Sequence, residues 1–208
     1  MAKDGTHSIV YILEDDPTLG QWYIGLLQSI GVSVALYTTG QEFLDMVHPS
    51  ESSCAVIDMI LPDMTGLAVM EKMRERGIWL PVIFASGYGD VGTAVQAMKS
   101  GAEDFLEKPL KAQVFLDAVQ KALAKCGAPI SQRESSQEVH GLMTRLTPRE
   151  REVLELIMTG MSNKEMARKI GVSPRTIEVH RANLYSKMRA DSLADLVRKG
   201  LAVTQNPQ

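Results

Sequence analysis

Strand-length apolar runs alternate with segments of helical periodicity throughout the first 125 residues of the chain. Five such repeats, each a strand followed by a helix, are typical of a parallel sheet with helices on both faces. The pattern therefore predicts a doubly wound α/β fold with five parallel strands. The predicted strands are residues 8–13, 32–37, 55–57, 81–85 and 104–106, and the predicted helices are residues 17–29, 40–47, 66–76, 90–100 and 112–125.

Charged and hydroxyl side chains follow four of the predicted strands at the point where each strand ends. Glu14 and Asp15 follow the first strand, Asp58 the third, Ser86 the fourth and Lys108 the fifth. We expect them to lie close together, because the site of a doubly wound sheet lies at the carboxyl ends of its strands. Clustered carboxylates need a cation, and oxygen ligands suit Mg²⁺. The set predicts phosphoryl transfer onto a carboxylate, and no nucleotide-binding glycine motif follows the first strand.

The segments at these strand ends resemble four motifs of the receiver domain of bacterial two-component response regulators. They are ILEDDP at residues 12–17, DMILPDMTG at 58–66, ASG at 85–87 and EKP at 107–109. The resemblance extends over about residues 8–125, and the four motifs occur in the family's order. It implies a flavodoxin-like receiver, with one departure from the commonest pattern, since the acidic pair is Glu-Asp rather than Asp-Asp.

The resemblance implies a role for each side chain at this edge. Asp58 is expected to accept a phosphoryl group from the phosphohistidine of a sensor histidine kinase. Glu14 and Asp15 form the acidic pair, and Asp15 and Asp58 are expected to bind Mg²⁺ or Mn²⁺ together with the backbone carbonyl of Ile60. The remaining implied roles are a hydroxyl switch for Ser86, a switch aromatic for Phe105, a phosphate-binding lysine for Lys108 and a cis bond between Lys108 and Pro109.

The net charge of the chain changes sign near residue 127. Residues 1–127 hold 9 Lys and Arg against 16 Asp and Glu, a net charge of −7, whereas residues 128–208 hold 13 against 9, a net charge of +4. A basic half of this kind predicts an acidic partner such as nucleic acid. The composition near the change is polar and contains Gly, Pro and Ser, which is typical of a linker. We therefore predict a receiver over residues 1–125, a linker over 126–144 and a second domain over 145–208.

The second domain carries strong helix start signals. Thr147-Pro148 and Ser162-Asn163 open capping boxes, and Ser173-Pro174 places a proline at the first helical position. Gly160, Gly171 and Gly200 stand where helices are expected to end. These signals predict a small all-α domain of four helices, over residues 148–159, 163–170, 174–188 and 192–199. The short turn before the third helix is typical of a helix-turn-helix.

The same region resembles the LuxR-type helix-turn-helix domain, and its third helix is similar to that of the FixJ subgroup. The matching strings are LTPREREVL at residues 146–154, GMSNKEMA at 160–167 and SPRTIEVHRANL at 173–184. A plain helical interaction domain is the alternative on helix count alone. The resemblance implies that Glu178, Val179 and Ala182 face base edges, and that Lys164, Arg175, Thr176, Arg181 and Lys187 approach the DNA backbone.

Together the two halves predict a response regulator of the FixJ/NarL type that regulates transcription. Phosphorylation of Asp58 is expected to promote a homodimer that binds promoter DNA and contacts RNA polymerase, with slow self-dephosphorylation as the only turnover. One alternative is a receiver that acts through protein contacts. Another is a Mg²⁺-dependent phosphatase, which is disfavoured because Ile60 stands where a second aspartate would be needed.

The remaining composition is ordinary for a cytoplasmic protein. The chain has two cysteines among 208 residues, apolar runs of about strand length and an N-terminus without an apolar signal core. These features predict a cytoplasmic location and no membrane partner.

Overall fold

The computed structural model describes residues 8–50, 52–87, 90–125 and 136–204. The chain forms two compact units, one built on a sheet and one helical. The first contains a five-stranded sheet in the order β2-β1-β3-β4-β5, and all of its strand pairs are parallel. This confirms the predicted doubly wound α/β class. The strands are β1 (Ile9–Leu13), β2 (Ser33–Tyr37), β3 (Ser53–Asp58), β4 (Val82–Ser86) and β5 (Asp104–Glu107).

Five helices lie between or after the strands, close to the predicted ranges. They are α1 (Pro17–Ser29), α2 (Gly40–Met46), α3 (Gly66–Glu75), α4 (Val91–Lys99) and α5 (Ala112–Lys125). Side-chain oxygens of Asp16, Thr39, Thr65 and Asp90 cap the first four of these helices by accepting backbone N–H bonds. Such caps satisfy N–H groups that have no partner within the helix, and they fix where each helix begins.

The core of the sheet unit lies between the central strands and the helices. β3 is the central strand, and Cys54, Ala55, Val56 and Ile57 are all buried. This explains its continuous apolar run, because a central parallel strand is covered on both faces. Tyr23 of α1 packs against Phe115 of α5 with ring centroids 4.9 Å apart.

Residues 145–204 form the four helices predicted for the second domain, and one further helix precedes them. The five helices are α6 (Ser136–Met143), α7 (Pro148–Met158), α8 (Asn163–Ile170), α9 (Pro174–Met188) and α10 (Leu193–Thr204). The compact helical unit also includes α4. Both predicted capping boxes are present, and Gly171 ends α8 in the left-handed region at φ 71°. These local signals place α7, α8 and α9 within one residue of their predicted bounds.

Two features of this unit were not predicted from the sequence. Residues 136–143, within the predicted linker, form α6, and its Val139 is buried. Residues 126–135 of that linker lie outside the described residues. Gly200 lies inside α10 instead of ending it. A Cβ there would come within 2.9 Å of the Met158 sulfur, so this glycine permits close helix packing.

Candidate functional site

The carboxyl ends of β1, β3, β4 and β5 bring the predicted phosphorylation residues to one edge of the sheet. The parallel register pairs Leu13 with Ile57, so Glu14 and Asp58 follow at the same level. Ser86, the last residue of β4, accepts a hydrogen bond at its carbonyl from the Lys108 N–H at 2.8 Å. The parallel topology therefore assembles residues that are far apart in the chain.

Lys108 joins the two carboxylates of this edge. Its Nζ donates to Glu14 Oε2 at 2.7 Å and also to Asp58 Oδ2. The Glu14 side chain is only 2% exposed and that of Asp58 is 13% exposed, so both charges are largely removed from water. A cation that pairs with both carboxylates offsets the repulsion between them.

Burial and ion pairing shift the pKa values of these groups. Burial raises the pKa of the Glu14 carboxyl above its ordinary value, although the hydrogen bond from Lys108 opposes this shift. For Lys108, burial works to lower the pKa, but the hydrogen bonds to Asp58 and Glu14 outweigh it and raise the pKa. Lys108 is therefore held in its charged form beside Asp58.

Glu14, Asp15 and Asp58 form a group of carboxylates that could hold a cation. One oxygen atom of each lies within 4.8 Å of the others, and Asp15 is exposed. Three carboxylates beside one lysine leave an excess of negative charge. An all-oxygen donor set with an open side suits Mg²⁺, which keeps several water ligands. The residues present therefore fit the expected metal ion.

The loop after β3 is held in place by contacts of its own. The Ile60 N–H donates to Asp58 Oδ1 at 2.9 Å. Gly66 is required at the start of α3, because a Cβ there would lie 2.5 Å from the Asp58 carbonyl oxygen. The side chain of Ile60, two residues after Asp58, is exposed. These contacts fix the position of the Asp58 carboxylate.

Asp63, in the same loop, was not among the site residues predicted from the sequence. Its two carboxylate oxygens accept the backbone N–H groups of Gly40 and Gln41, each at 2.9 Å, at the first turn of α2. Burial would raise the pKa of Asp63, but these N–H groups hold it below its ordinary value. Asp63 thus ties the loop that carries Asp58 to α2. An aspartate in a loop gives no sequence signal for a partner 23 residues away.

The two proposed switch residues are both buried. Ser86 ends β4 and is 1% exposed, and Phe105 lies within β5. β4 and β5 are neighbours in the sheet, with Ser86 opposite Glu107 and Phe84 opposite Phe105. The Lys108–Pro109 bond is cis, as the resemblance implied.

The third predicted helix of the second domain, α9, has one buried and one exposed face. Ile177, Leu184 and Met188 are buried against the other helices of the unit. The side chains on the opposite face are exposed: they are Arg175, Glu178, Val179, Ala182 and Ser186. A helix with an exposed face of small and polar side chains can enter the major groove of DNA.

Three basic side chains of α9 have partners within the helical unit. Arg175 pairs with Glu178 at 3.1 Å on the helix surface. Arg181 donates to Asn163 Oδ1 of α8 at 2.6 Å, and Lys187 donates to Glu150 Oε2 of α7 at 2.7 Å. Thr176 is half-buried at the start of α9, and Lys164 is exposed on α8.

Within the described residues, no helix has the length and apolar character needed to cross a membrane.

Two family models together match most of the chain. A model described as "Response regulator receiver domain" matches residues 10–120, and one described as "Bacterial regulatory proteins, luxR family" matches residues 144–199. The first covers the sheet unit with its acidic edge, and the second covers helices α7 to α9 and most of α10.

Relatives align over nearly the full chain. The transcriptional regulatory protein FixJ of Azorhizobium caulinodans is 40% identical over 192 residues, which are 92% of this chain and 91% of the relative. The response regulator protein TodT of Pseudomonas putida is 37% identical over 92% of this chain and 84% of the relative.

Solved structures give the same assignment. Full-length FixJ from B. japonicum has a TM-score of 0.55 at 36% identity and covers 97% of this chain and 100% of its own. The response regulator StyR has a TM-score of 0.56 at 33% identity, with coverage of 94% and 99%. The chain therefore belongs to the two-component response regulators of the FixJ type. These are transcription regulators in which a receiver, here with Asp58 and Lys108 at its sheet edge, is followed by a LuxR-type DNA-binding domain, here with the exposed face of α9.

Proposed function

We propose that Asp58 accepts a phosphoryl group from the phosphohistidine of a sensor histidine kinase. The observation that carries this proposal is the pairing of Lys108 with both Asp58 and Glu14. In the transfer, the nitrogen–phosphorus bond of the donor breaks, an oxygen–phosphorus bond forms at Asp58, and the donor imidazole regains a proton. Lys108 stabilises the charge of the transferring group as a fixed cation.

Glu14, Asp15 and Asp58, with the backbone carbonyl of Ile60, are the residues that we propose hold Mg²⁺ or Mn²⁺. When bound, the ion supplies positive charge for the phosphoryl oxygens. Asp58 is held by the Ile60 N–H and by Lys108, which leaves its carboxylate oriented before the donor arrives. Such preorganisation lowers the barrier because little rearrangement is needed during the reaction.

Ser86 and Phe105 are the proposed switch. The Ser86 hydroxyl would bond a phosphoryl oxygen on Asp58, and the Phe105 ring would turn into the space that Ser86 leaves. Both are buried and lie on neighbouring strands, and we propose that a movement of one is transmitted to the other. Phosphorylation thereby biases a two-state element of the receiver.

The output that we propose is a homodimer on promoter DNA. The β4–α4–β5 surface of the phosphorylated receiver would join two copies, and a symmetric dimer presents two recognition helices to two half-sites. Glu178, Val179 and Ala182 of α9 are the proposed base contacts, and Lys164, Arg175, Thr176 and Arg181 the proposed backbone contacts. The regulator would act in the cytoplasm and contact RNA polymerase, and slow self-dephosphorylation would end the signal.

The phosphoacceptor assignment is tested by labelling the chain with a phosphoryl donor. Incubation with acetyl phosphate and Mg²⁺ is expected to add one phosphoryl group to the wild type and none to Asp58→Asn, measured by intact-protein mass. Asp117→Asn is the matched control, since this carboxylate is exposed on α5 and has no role in the proposed site. Labelling of Asp58→Asn at the wild-type level would refute the proposal.

A further inference from the structure

The carboxylate of Glu150 in α7 is buried, and the helix cap that it completes does not require a negative charge. It is 3% exposed and completes the capping box, in which its Oε2 accepts the Thr147 N–H at 2.8 Å. A glutamine at this position could accept the same bond, because capping boxes use either residue. The negative charge of Glu150 therefore calls for a second explanation, since a buried carboxylate is costly unless a cation accompanies it.

Lys187, in the last turn of the recognition helix α9, supplies that cation. Its Nζ lies 2.7 Å from Glu150 Oε2, and its side chain is 35% exposed. Burial would raise the pKa of Glu150, but the hydrogen bonds from Lys187 and Thr147 hold it below its ordinary value. The pair joins the C-terminal turn of α9 to the first turn of α7.

Two further contacts hold α9 at other points along its length. Arg181 bonds Asn163 of α8, and Lys199 of α10 donates to the carbonyl of Arg189, the C-cap of α9, at 2.7 Å. The exposed face that carries Glu178, Val179 and Ala182 therefore projects from a helix fixed to three neighbours. The angle at which that face enters the groove depends on these attachments.

We propose that Lys187 is a positioning residue that sets the pose of the recognition helix through Glu150, and that it is not a phosphate contact. The resemblance had implied a backbone contact for this lysine. Because its charge is already matched by the Glu150 carboxylate, it contributes little to the release of counterions from DNA, which is the source of the salt dependence of binding. Lys164, which is exposed on α8, serves as the matched comparison.

The decisive variant is Glu150→Gln, because the two roles predict opposite results. The amide keeps the capping box but removes the charge that holds Lys187. If Lys187 positions α9, affinity for a duplex selected by the wild-type chain falls by about tenfold, a usual coupling within an ion-pair network. Affinity for a random-sequence duplex changes much less. If Lys187 is instead a phosphate contact restrained by Glu150, affinity for both duplexes rises and the salt dependence becomes steeper.

Lys187→Met and Lys164→Met are compared in the same titrations over a range of salt concentrations. Loss of a phosphate contact weakens binding to both duplexes equally. It also reduces the steepness of the plot of log K against log salt concentration by about one. We expect that result for Lys164→Met, and we expect Lys187→Met to lose discrimination between the duplexes at an unchanged slope. A slope lowered equally in both variants would overturn the proposal.

The double variant Glu150→Gln/Lys187→Met shows whether misfolding accounts for a loss of discrimination. It keeps the cap and leaves no unpaired charge, so its thermal unfolding should resemble that of the wild type. We still expect it to lose discrimination, to the same extent as either single variant, whereas full recovery of discrimination would contradict a positioning role. The inference rests on DNA binding by the full chain and not on its phosphorylation. Titrations with and without acetyl phosphate therefore separate its failure from that of the proposed phosphorylation step.

Discussion

Replacing Lys108 with methionine is expected to slow phosphoryl transfer to Asp58 by about 100-fold or more, because a fixed charge at the reacting group commonly contributes this much. The substitution removes the one cation that contacts both Asp58 and Glu14 among the described residues. It also removes the group that opposes the raised pKa of Glu14, so that carboxyl should bind a proton at a higher pH. The rate is measured from the mass of the intact chain during incubation with acetyl phosphate.

Lys111→Met provides the matched control for this prediction. Lys111 is exposed, lies three residues beyond Lys108 and has the same charge. Its loss should change the transfer rate by less than about twofold, since an exposed charge in water interacts weakly. Equal rates for Lys108→Met and Lys111→Met, with both variants folded by circular dichroism, would show that Lys108 does not assist the transfer.

Replacing Ala182 with glutamate is expected to weaken DNA binding by about 100-fold, because a carboxylate held against DNA costs several kcal/mol through like-charge repulsion. Ala182 lies on the exposed face of α9 between the buried residues that fix the helix. Stability should change by less than about 0.5 kcal/mol, since glutamate is a good helix former at an exposed site. Binding is measured by titration of a duplex selected by the wild-type chain.

Gln28→Glu controls for the added negative charge. Gln28 is exposed on α1 of the receiver, and this substitution changes the net charge by the same amount. We expect DNA affinity within about twofold of the wild type, because one exposed charge outside the proposed interface interacts weakly in water. Unchanged DNA affinity of Ala182→Glu would show that the exposed face of α9 does not contact DNA.

Local patterns in the sequence predict most of the fold. Helix caps such as Thr147 and Ser162 act within four residues, so their partners can be read from neighbouring positions. The five-stranded parallel sheet follows from the alternation of strands and helices, and the sheet edge in turn predicts that Asp58 and Lys108 meet. The α6 helix was missed because the polar composition around Val139 suggested a linker, whereas this residue is buried in the structure.

Pairings between distant residues were predicted less completely. Lys108 was predicted to lie near the acidic pair, but the choice of Glu14 as its partner depends on side-chain length and burial, across a separation of 94 residues. Glu150 and Lys187 are 37 residues apart on different helices. Neither shows a helical spacing to the other, so only the packing of α7 against α9 reveals that they pair.

We propose that phosphorylation of Asp58 creates the dimer that binds DNA. Light scattering of the full chain, with and without acetyl phosphate and Mg²⁺, tests it most directly when intact mass confirms that the phosphoryl group is present. The wild type should double its molar mass on phosphorylation, and Asp58→Asn should remain a monomer under both conditions. A fully phosphorylated wild type that stays monomeric, or an Asp58→Asn variant that dimerises equally well, would contradict the account.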